Sequence, residues 1–384
     1  MRNVYILNNA DARMEKGQGK TLSKLSSENN WESIRADRNK IIEYLNSALL
    51  SENSEEIRQR ILELKLNLSS LTGDLYSDIN IENGKLEVKN LIRDLDQIVD
   101  SYTAERMKYY IRRLIRSLNE VRLGRINDIN LNRWMDYSNI LTDSLWIFDK
   151  RDSSGEHLGW YWGNFVPQIP NQLILRYSRS GDWVFDPFAG SGTTLIECRR
   201  LGRNGIGIEL NKDVAVKARE RIQMEKNEKN VTTDLVIGDS ADLDFKSLIS
   251  KEGIENVNLV IMHPPYHDII KFSGDDRDLS NTPSVDLFIK KLGKIAGKCA
   301  DILEKDRYLA LVIGDKYESG QWIPLGFYSM QEILNLGLKL KSIVIKNFDY
   351  TRGKRSQQEL WRYRALQGEY YVFKHEYIFI FKKT

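Results

Sequence analysis

Two short stretches of this chain hold residue types that could do chemistry together. The first runs Asp186-Pro187-Phe188-Ala189-Gly190-Ser191-Gly192-Thr193-Thr194, and about 20 residues later comes Glu209-Leu210-Asn211. Glycines at 190 and 192 let the backbone approach a ligand closely and take dihedrals closed to other residues. A helix opening at Thr193 would aim its amide-rich N-terminus at that ligand. An acid such as Glu209, closing the next strand, suits a ribose diol. This is the pattern of a nucleoside pocket.

The pocket lacks the Gly-x-x-x-x-Gly-Lys of a phosphate loop and the third glycine of the dinucleotide fingerprint. An acid at its head, Asp186, would repel a pyrophosphate but suit an ammonium or sulfonium. Both points favour S-adenosylmethionine over a nucleotide phosphate. The second stretch is Asn258-Leu-Val-Ile-Met-His263-Pro264-Pro265-Tyr266, an apolar strand stopped by two prolines. Prolines fix the backbone and remove donors, which leaves free carbonyls at the strand's C-terminal end. In open α/β sheets that edge is where ligands bind. Tyr266 adds a flat face on which a planar amine could stack while donating its hydrogens to a carbonyl.

The elements that must position these residues alternate. Strands are predicted at 183–186, 205–209, 234–237, 257–262, 308–313, 341–347 and 372–382, with helices at 193–201, 212–226, 284–303 and 325–336. The fold class is therefore α/β, a doubly wound, mostly parallel seven-stranded sheet. Its last two strands form an antiparallel pair at one edge. All seven prolines lie between Pro167 and Pro324, so the N-terminal part is built differently. There, apolar residues recur at helical spacing: Ile34, Ile41, Ile42, Leu45 and Leu49; Ile57, Ile61, Leu64 and Leu68; Leu91, Leu95 and Ile98; Met107, Ile111, Leu114 and Leu118. The organisation expected is a flexible leader (1–30), an all-helical domain with a basic face (31–150), and the α/β domain (151–384) with a basic, aromatic insert at 347–371.

Composition excludes several classes. Hydrophobic residues make up 41% and charged residues 29%, as in ordinary soluble domains. No apolar run approaches the roughly 20 residues of a membrane span, so no membrane partner and a cytoplasmic setting are expected. Cys198 and Cys299 sit in apolar helical patterns and read as buried thiols, and the four histidines form no metal-ligand cluster. A net charge of +3 says little, but basic residues gather at two places. One is the fourth helical period (Arg112, Arg113 and Arg116). The other is the insert, where Arg352, Lys354, Arg355, Arg362 and Arg364 interleave with aromatics. Either is a solvated face or a phosphate-contacting surface.

These motifs resemble those of the S-adenosylmethionine-dependent DNA amino-methyltransferases, which make N6-methyladenine or N4-methylcytosine. Asp186 to Thr194 is similar to that family's first cofactor motif, and His263-Pro264-Pro265-Tyr266 to its catalytic tetrapeptide. Asn164-Phe165-Val166-Pro167 with the helix to Ser178 resembles the segment that cradles the methionine moiety. Glu209, Leu210 and Asn211 match the ribose-binding position, and Asp239 and Ser240 the position beside the adenine. The resemblance covers about 160–384 and implies a Rossmann-like class I methyltransferase fold. It also implies S-adenosylmethionine as cofactor and double-stranded DNA as partner. A cognate restriction endonuclease and a homodimer are further partners that it allows.

One departure stands out. The family usually places Asp, Asn or Ser before Pro-Pro-Tyr, where a side-chain oxygen accepts from the target amine. His263 can accept only when neutral, and an unshifted imidazole would lose that ability near pH 6.5. The resemblance implies extrusion of the base onto Tyr266, with the Pro264 carbonyl and His263 accepting the amine hydrogens. Lys271, with Asp268 and the segment from Asp275 to Ser280, would form a mobile loop closing on that base. Two other readings stay open: an amino-methyltransferase of tRNA or rRNA, and a non-catalytic, methyltransferase-like DNA-binding subunit.

Overall fold

The computed structural model describes residues 38–70, 78–81, 84–348 and 358–384. The leader at 1–30, and Arg352, Lys354 and Arg355 in the insert, lie outside the described residues. The chain divides into two compact units, Met1–Asn119 and Glu120–Thr384. Residues 120–150, grouped by sequence with the helical domain, fall in the second unit.

The first unit contains helices α1 (Arg38–Leu49), α2 (Ser54–Ser70), α3 (Val88–Val99) and α4 (Ala104–Asn119), with a hairpin of β1 (Asp78–Ile81) and β2 (Gly84–Glu87). Each helix buries one apolar stripe: Ile41 and Leu45, Ile57 with Ile61 and Leu64, Leu91 with Leu95 and Ile98, and Met107 with Ile111. The α1–α2 and α3–α4 pairs repeat one pattern 50 positions apart, matching Ile41 to Leu91, Leu45 to Leu95, Ile57 to Met107, Ile61 to Ile111 and Leu68 to Leu118. Every one of these residues is buried. Even the interhelical serines, Ser51 and Ser101, are buried alike. The pairs diverge on the outside, where Leu62, Glu63 and Leu66 of α2 correspond to Arg112, Arg113 and Arg116 of α4. All six are exposed. One scaffold is thus used twice with different surface chemistry.

The second unit is built on an eight-stranded sheet: β3 (Leu145–Trp146), β4 (Trp183–Asp186), β5 (Asn204–Glu209), β6 (Thr233–Ile237), β7 (Val257–Met262), β8 (Leu303–Ile313), β11 (Lys339–Asn347) and β12 (His375–Lys382). A small hairpin of β9 (Lys316–Glu318) and β10 (Gln321–Ile323) stands apart. The order across the large sheet is β3-β11-β12-β8-β7-β4-β5-β6. The seven expected strands are present, and the two-residue β3 adds an eighth by pairing parallel to β11. The antiparallel pair is not simply at the edge, since β12 inserts between β8 and β11 and runs antiparallel to both.

Helices cover both faces: α5 (Gln168–Tyr177), α6 (Thr193–Leu201), α7 (Lys212–Met224), α8 (Phe245–Ser250), α9 (Val285–Ile302) and α10 (Leu325–Asn335). Alternate strand residues enter different cores. Phe185, Val260 and Leu309 pack with α8, α9 and α10, while Val184, Leu259 and Ala310 pack with α5. Burial on both faces explains why β7 reads as a continuous apolar run from Leu259 to Met262. In the insert, α11 (Gln358–Gln367) forms where the sequence shows no clear period. Among the described residues no helix is long and apolar enough to cross a membrane. Cys198 and Cys299 are buried free thiols.

Candidate active site

The chain leaves β4 for β5 and β6 on one side and returns to β7 on the other. Such a reversal opens a crevice at the strands' C-terminal ends. A cleft open to solvent lies there. Its walls include Asn164, Phe165, Pro187, Phe188, Ala189 and Gly190. Ser191, Thr193, Glu209, Leu210, Asp239 and Ser240 continue the lining. His263, Pro264 and Pro265 line the same cleft. Both stretches singled out in the sequence therefore meet at one place.

The remaining cofactor-motif residues build the cleft rather than face it. Asp186, buried at the end of β4, accepts from the Phe188 amide at 2.9 Å and from the Thr194 hydroxyl. Burial lifts its pKa to about 6. Its carboxylate is spent on the turn, so the expected pairing with a ligand cation does not apply. Gly192 caps α6 at φ +81, and a Cβ there would lie 2.8 Å from Ile222 Cδ1. Only glycine fits both constraints. Asn211 caps α7 by accepting from the Asp213 and Val214 amides. Pro167 precedes α5.

Glu209 does face the cleft. Its carboxylate accepts from the Gly190 amide at 2.9 Å and the Asn211 amide at 2.8 Å. Burial outweighs those bonds, and Asp278 and Asp186 add repulsion, so its pKa rises to about 7. A ribose diol would supply the donors that such a carboxylate lacks. Asn164 accepts from Arg151 Nη2 at 3.0 Å and Ser191 Oγ at 3.1 Å, and donates to the Tyr161 carbonyl at 3.1 Å. Arg151 also donates to the Phe165 carbonyl at 2.6 Å. The donor-poor acid, the glycine turn and the apolar walls of Phe188, Leu279 and Ile295 fit an adenosyl group.

His263 is half-buried, with Phe165 stacked on its ring at 4.5 Å and 14°. Burial depresses its pKa to about 4, Glu376 partly offsetting and Lys346 reinforcing the shift. The imidazole is neutral at pH 7, and its acid limb lies well below the 6.5 expected without burial. Tyr266 packs edge-on to His263 at 5.7 Å. Its ring also lies close to Gly314, where a Cβ would come within 2.9 Å of Tyr266 Cε2.

Residues 72–220 match the family model of N6/N4-type DNA methylases. Over those residues the chain is similar to the DNA amino-methyltransferase family. Curated relatives include the Type II methyltransferases M.MjaII of Methanocaldococcus jannaschii, 45% identical over 13% of this chain and 10% of that protein, and M.HpaI of Haemophilus parainfluenzae, 48% identical over 15% and 18%. M.SmaI of Serratia marcescens is 39% identical over 23% and 28%. The matches thus span less than a third of each relative's length. Among solved structures, TrmN from Thermus thermophilus aligns with a TM-score of 0.38 and 15% identity over 58% of this chain and 50% of that one.

The cleft also involves residues outside the two sequence motifs. Tyr161, Gly163, Phe272, Arg277, Asp278 and Leu279 line it. Of the segment 268–280, which includes the residues expected to form a mobile loop over the base, these last four line the cleft. Within it, Ser273 Oγ donates to Asp278 Oδ2 at 2.7 Å and the Phe272 amide donates to Ser280 Oγ at 3.2 Å. Its start is held by His267, buried at φ +52, which bonds the Thr282 carbonyl and Lys316 Nζ. Lys316 also pairs with Asp268 and Glu318. Lys271 is exposed outside the lining. Arg362 and Arg364 are exposed on α11, Arg364 lying over the Trp361 ring at 5.3 Å. Arg112, Arg113 and Arg116 share the outer surface of α4. Among the described residues no His, Cys, Asp and Glu cluster could hold a metal.

Proposed function

We propose that this chain methylates the exocyclic amine of a base in double-stranded DNA, with N6-adenine favoured over N4-cytosine, within a restriction–modification or stand-alone epigenetic system. The observation that carries the reading is the meeting of Gly190 and Glu209 with His263, Pro264 and Pro265 in one cleft. S-adenosylmethionine, when bound, supplies an electrophilic methyl group. Glu209 would accept from its ribose hydroxyls, and Asp239 and Ser240 would sit beside its adenine. Asn164 and Phe165, braced by Arg151, would flank the methionine end.

On the other side, extrusion of the target base costs a few kcal/mol. Tyr266, half-buried beside His263 and outside the cleft lining, would offer it a flat face. Its amine hydrogens would meet the Pro264 carbonyl and the neutral imidazole of His263, which orients the nitrogen lone pair toward the donor. Preorganised acceptors and positioning supply the rate in this scheme. Arg112, Arg113 and Arg116 on α4, Lys271, and Arg352, Lys354, Arg355, Arg362 and Arg364 of the insert would neutralise phosphates.

The test is transfer of labelled methyl from S-adenosylmethionine to unmethylated duplex DNA and to RNA, with long-read sequencing of host DNA to identify base and site. Labelled DNA supports the proposal, and label in RNA alone moves the chain to the RNA enzymes. Absence of S-adenosylmethionine binding by calorimetry, with no transfer to either, favours a non-catalytic DNA-binding subunit. Sedimentation with and without DNA tests the homodimer, and co-purification tests a cognate endonuclease.

A further inference from the structure

His263 poses a problem that the family's usual Asp, Asn or Ser does not. A side-chain oxygen accepts whatever its orientation, but a neutral imidazole has one bare nitrogen and one that carries hydrogen. The wrong tautomer would present a donor to an amine. Something must choose, and two polar residues that the proposed reaction leaves unused stand behind this ring.

Lys346 on β11 and Glu376 on β12 are direct cross-strand partners. Both are buried, and Lys346 Nζ lies 3.1 Å from Glu376 Oε1. The Lys346 ammonium is held against the Glu376 carboxylate, and a carboxylate only accepts. The other oxygen, Oε2, is 2.6 Å from Tyr266 Oη, so the hydroxyl hydrogen is committed to Glu376. Only the lone pairs of that hydroxyl remain for His263 Nε2, 3.3 Å away. Nε2 must therefore carry the hydrogen. Phe165, stacked on the imidazole, hinders rotation of the ring. Among the described residues Nδ1 has no hydrogen-bond partner, and His263 lines the cleft.

We infer that the Lys346–Glu376 pair, acting through the Tyr266 hydroxyl, sets the tautomer of His263 so that Nδ1 is the bare acceptor for the substrate amine. Glu376 and Lys346 are positioning residues, since they touch neither donor nor base. The amine's identity rests on the proposed methylation, but the tautomer does not.

The experiment is a two-bond proton–nitrogen spectrum of the full chain, ligand-free at pH 7.5, with nitrogen-15 histidine. His263→Asn assigns the resonances among four histidines. The native chain is expected to give the Nε2–H form of His263. In Glu376→Gln the amide can donate to the tyrosine oxygen, which frees the hydroxyl hydrogen for Nε2. The ratio should then move about tenfold toward Nδ1–H, the worth of one hydrogen bond. A native Nδ1–H form, or an unmoved ratio in Glu376→Gln, overturns the inference. Should that variant not fold, Tyr266→Phe cuts the relay while leaving the ion pair, and a ratio equal to the native one overturns it likewise. Turnover adds an independent arm. Glu376→Gln should lower kcat about tenfold with little change in KM for DNA. The same change in a His263→Asn background should cost almost nothing, because an amide oxygen needs no tautomer. An equal loss in both backgrounds makes Glu376 merely structural. The expected spectrum without methyl transfer would sink the proposed activity and leave the relay standing.

Discussion

Replacing Glu209 with glutamine should abolish a pH dependence of nucleoside binding that the native cleft imposes. The Glu209 carboxyl has its pKa near 7 because burial outweighs its two backbone bonds. Ribose hydroxyls donate to the ionised form, so binding must work against protonation. With that pKa the ionised fraction is about 0.09 at pH 6 and about 0.76 at pH 7.5. Affinity should therefore rise roughly eightfold across the interval and level off above it. The variant cannot titrate, so its affinity should be flat. It should also be about 10- to 100-fold weaker at pH 7.5, the difference between charge-assisted and neutral bonds. Titration calorimetry with S-adenosylhomocysteine reads both quantities, and buffers of different ionisation heat report the released proton. A flat native profile, or an eightfold rise that survives in Glu209→Gln, would refute the reasoning. The linkage has a second face. The native state keeps a Glu209 proton that the unfolded chain sheds between about 4.5 and 7, so the stability contributed by Glu209 is lost as pH rises through that window, and Glu209→Gln should remove that component from the ligand-free protein's pH profile.

Three other outcomes are expected. At saturating cofactor and DNA, His263 should remain an acceptor down to about pH 4, because burial favours its neutral form. Native and His263→Asn pH–rate profiles should coincide in shape above pH 5.5, and a limb near 6.5 found only in the native enzyme would contradict this. Gly192→Ala puts a side chain at φ +81 with its Cβ 2.8 Å from Ile222, so thermal unfolding should show a loss of about 1–3 kcal/mol. Changing Arg112, Arg113 and Arg116 together to glutamine should reduce the salt dependence of DNA binding by up to about three units of slope, near 0.9 per phosphate lost. Thermal stability should barely move, since the sister hairpin carries Leu62, Glu63 and Leu66 at the corresponding exposed positions. Fluorescence anisotropy over a salt series checks this, and an unchanged slope removes α4 from the DNA surface.

Much of the fold was legible because its signals are local. The strands at 183–186 and 257–262 and the helix at 193–201 have the bounds that their apolar runs and flanking turn residues dictate. Elements with weak local signals were not legible. Two residues are too few for β3 to announce itself, and it forms only because β11 offers an edge. The α8 helix has six residues, and α11 lies in a stretch without amphipathic period.

The same division runs through the site. Glycine spacing, the acid at 209 and the proline pair after His263 are sequence properties, and they determined the type of ligand and which strand ends would hold it. Which polar groups stay free to act was decided by tertiary structure. Asp186 looks like a ligand-facing acid until Thr194 and Phe188 consume its oxygens. His263 looks like an ordinary titrating imidazole until burial and Phe165 enclose it. Its hydrogen-bond chain reaches Glu376, which stands 110 residues from Tyr266 and comes within 2.6 Å of it only because β12 inserts beside β8. Desolvation and cross-strand register depend on the whole packed chain, so no local reading of residue types can supply them.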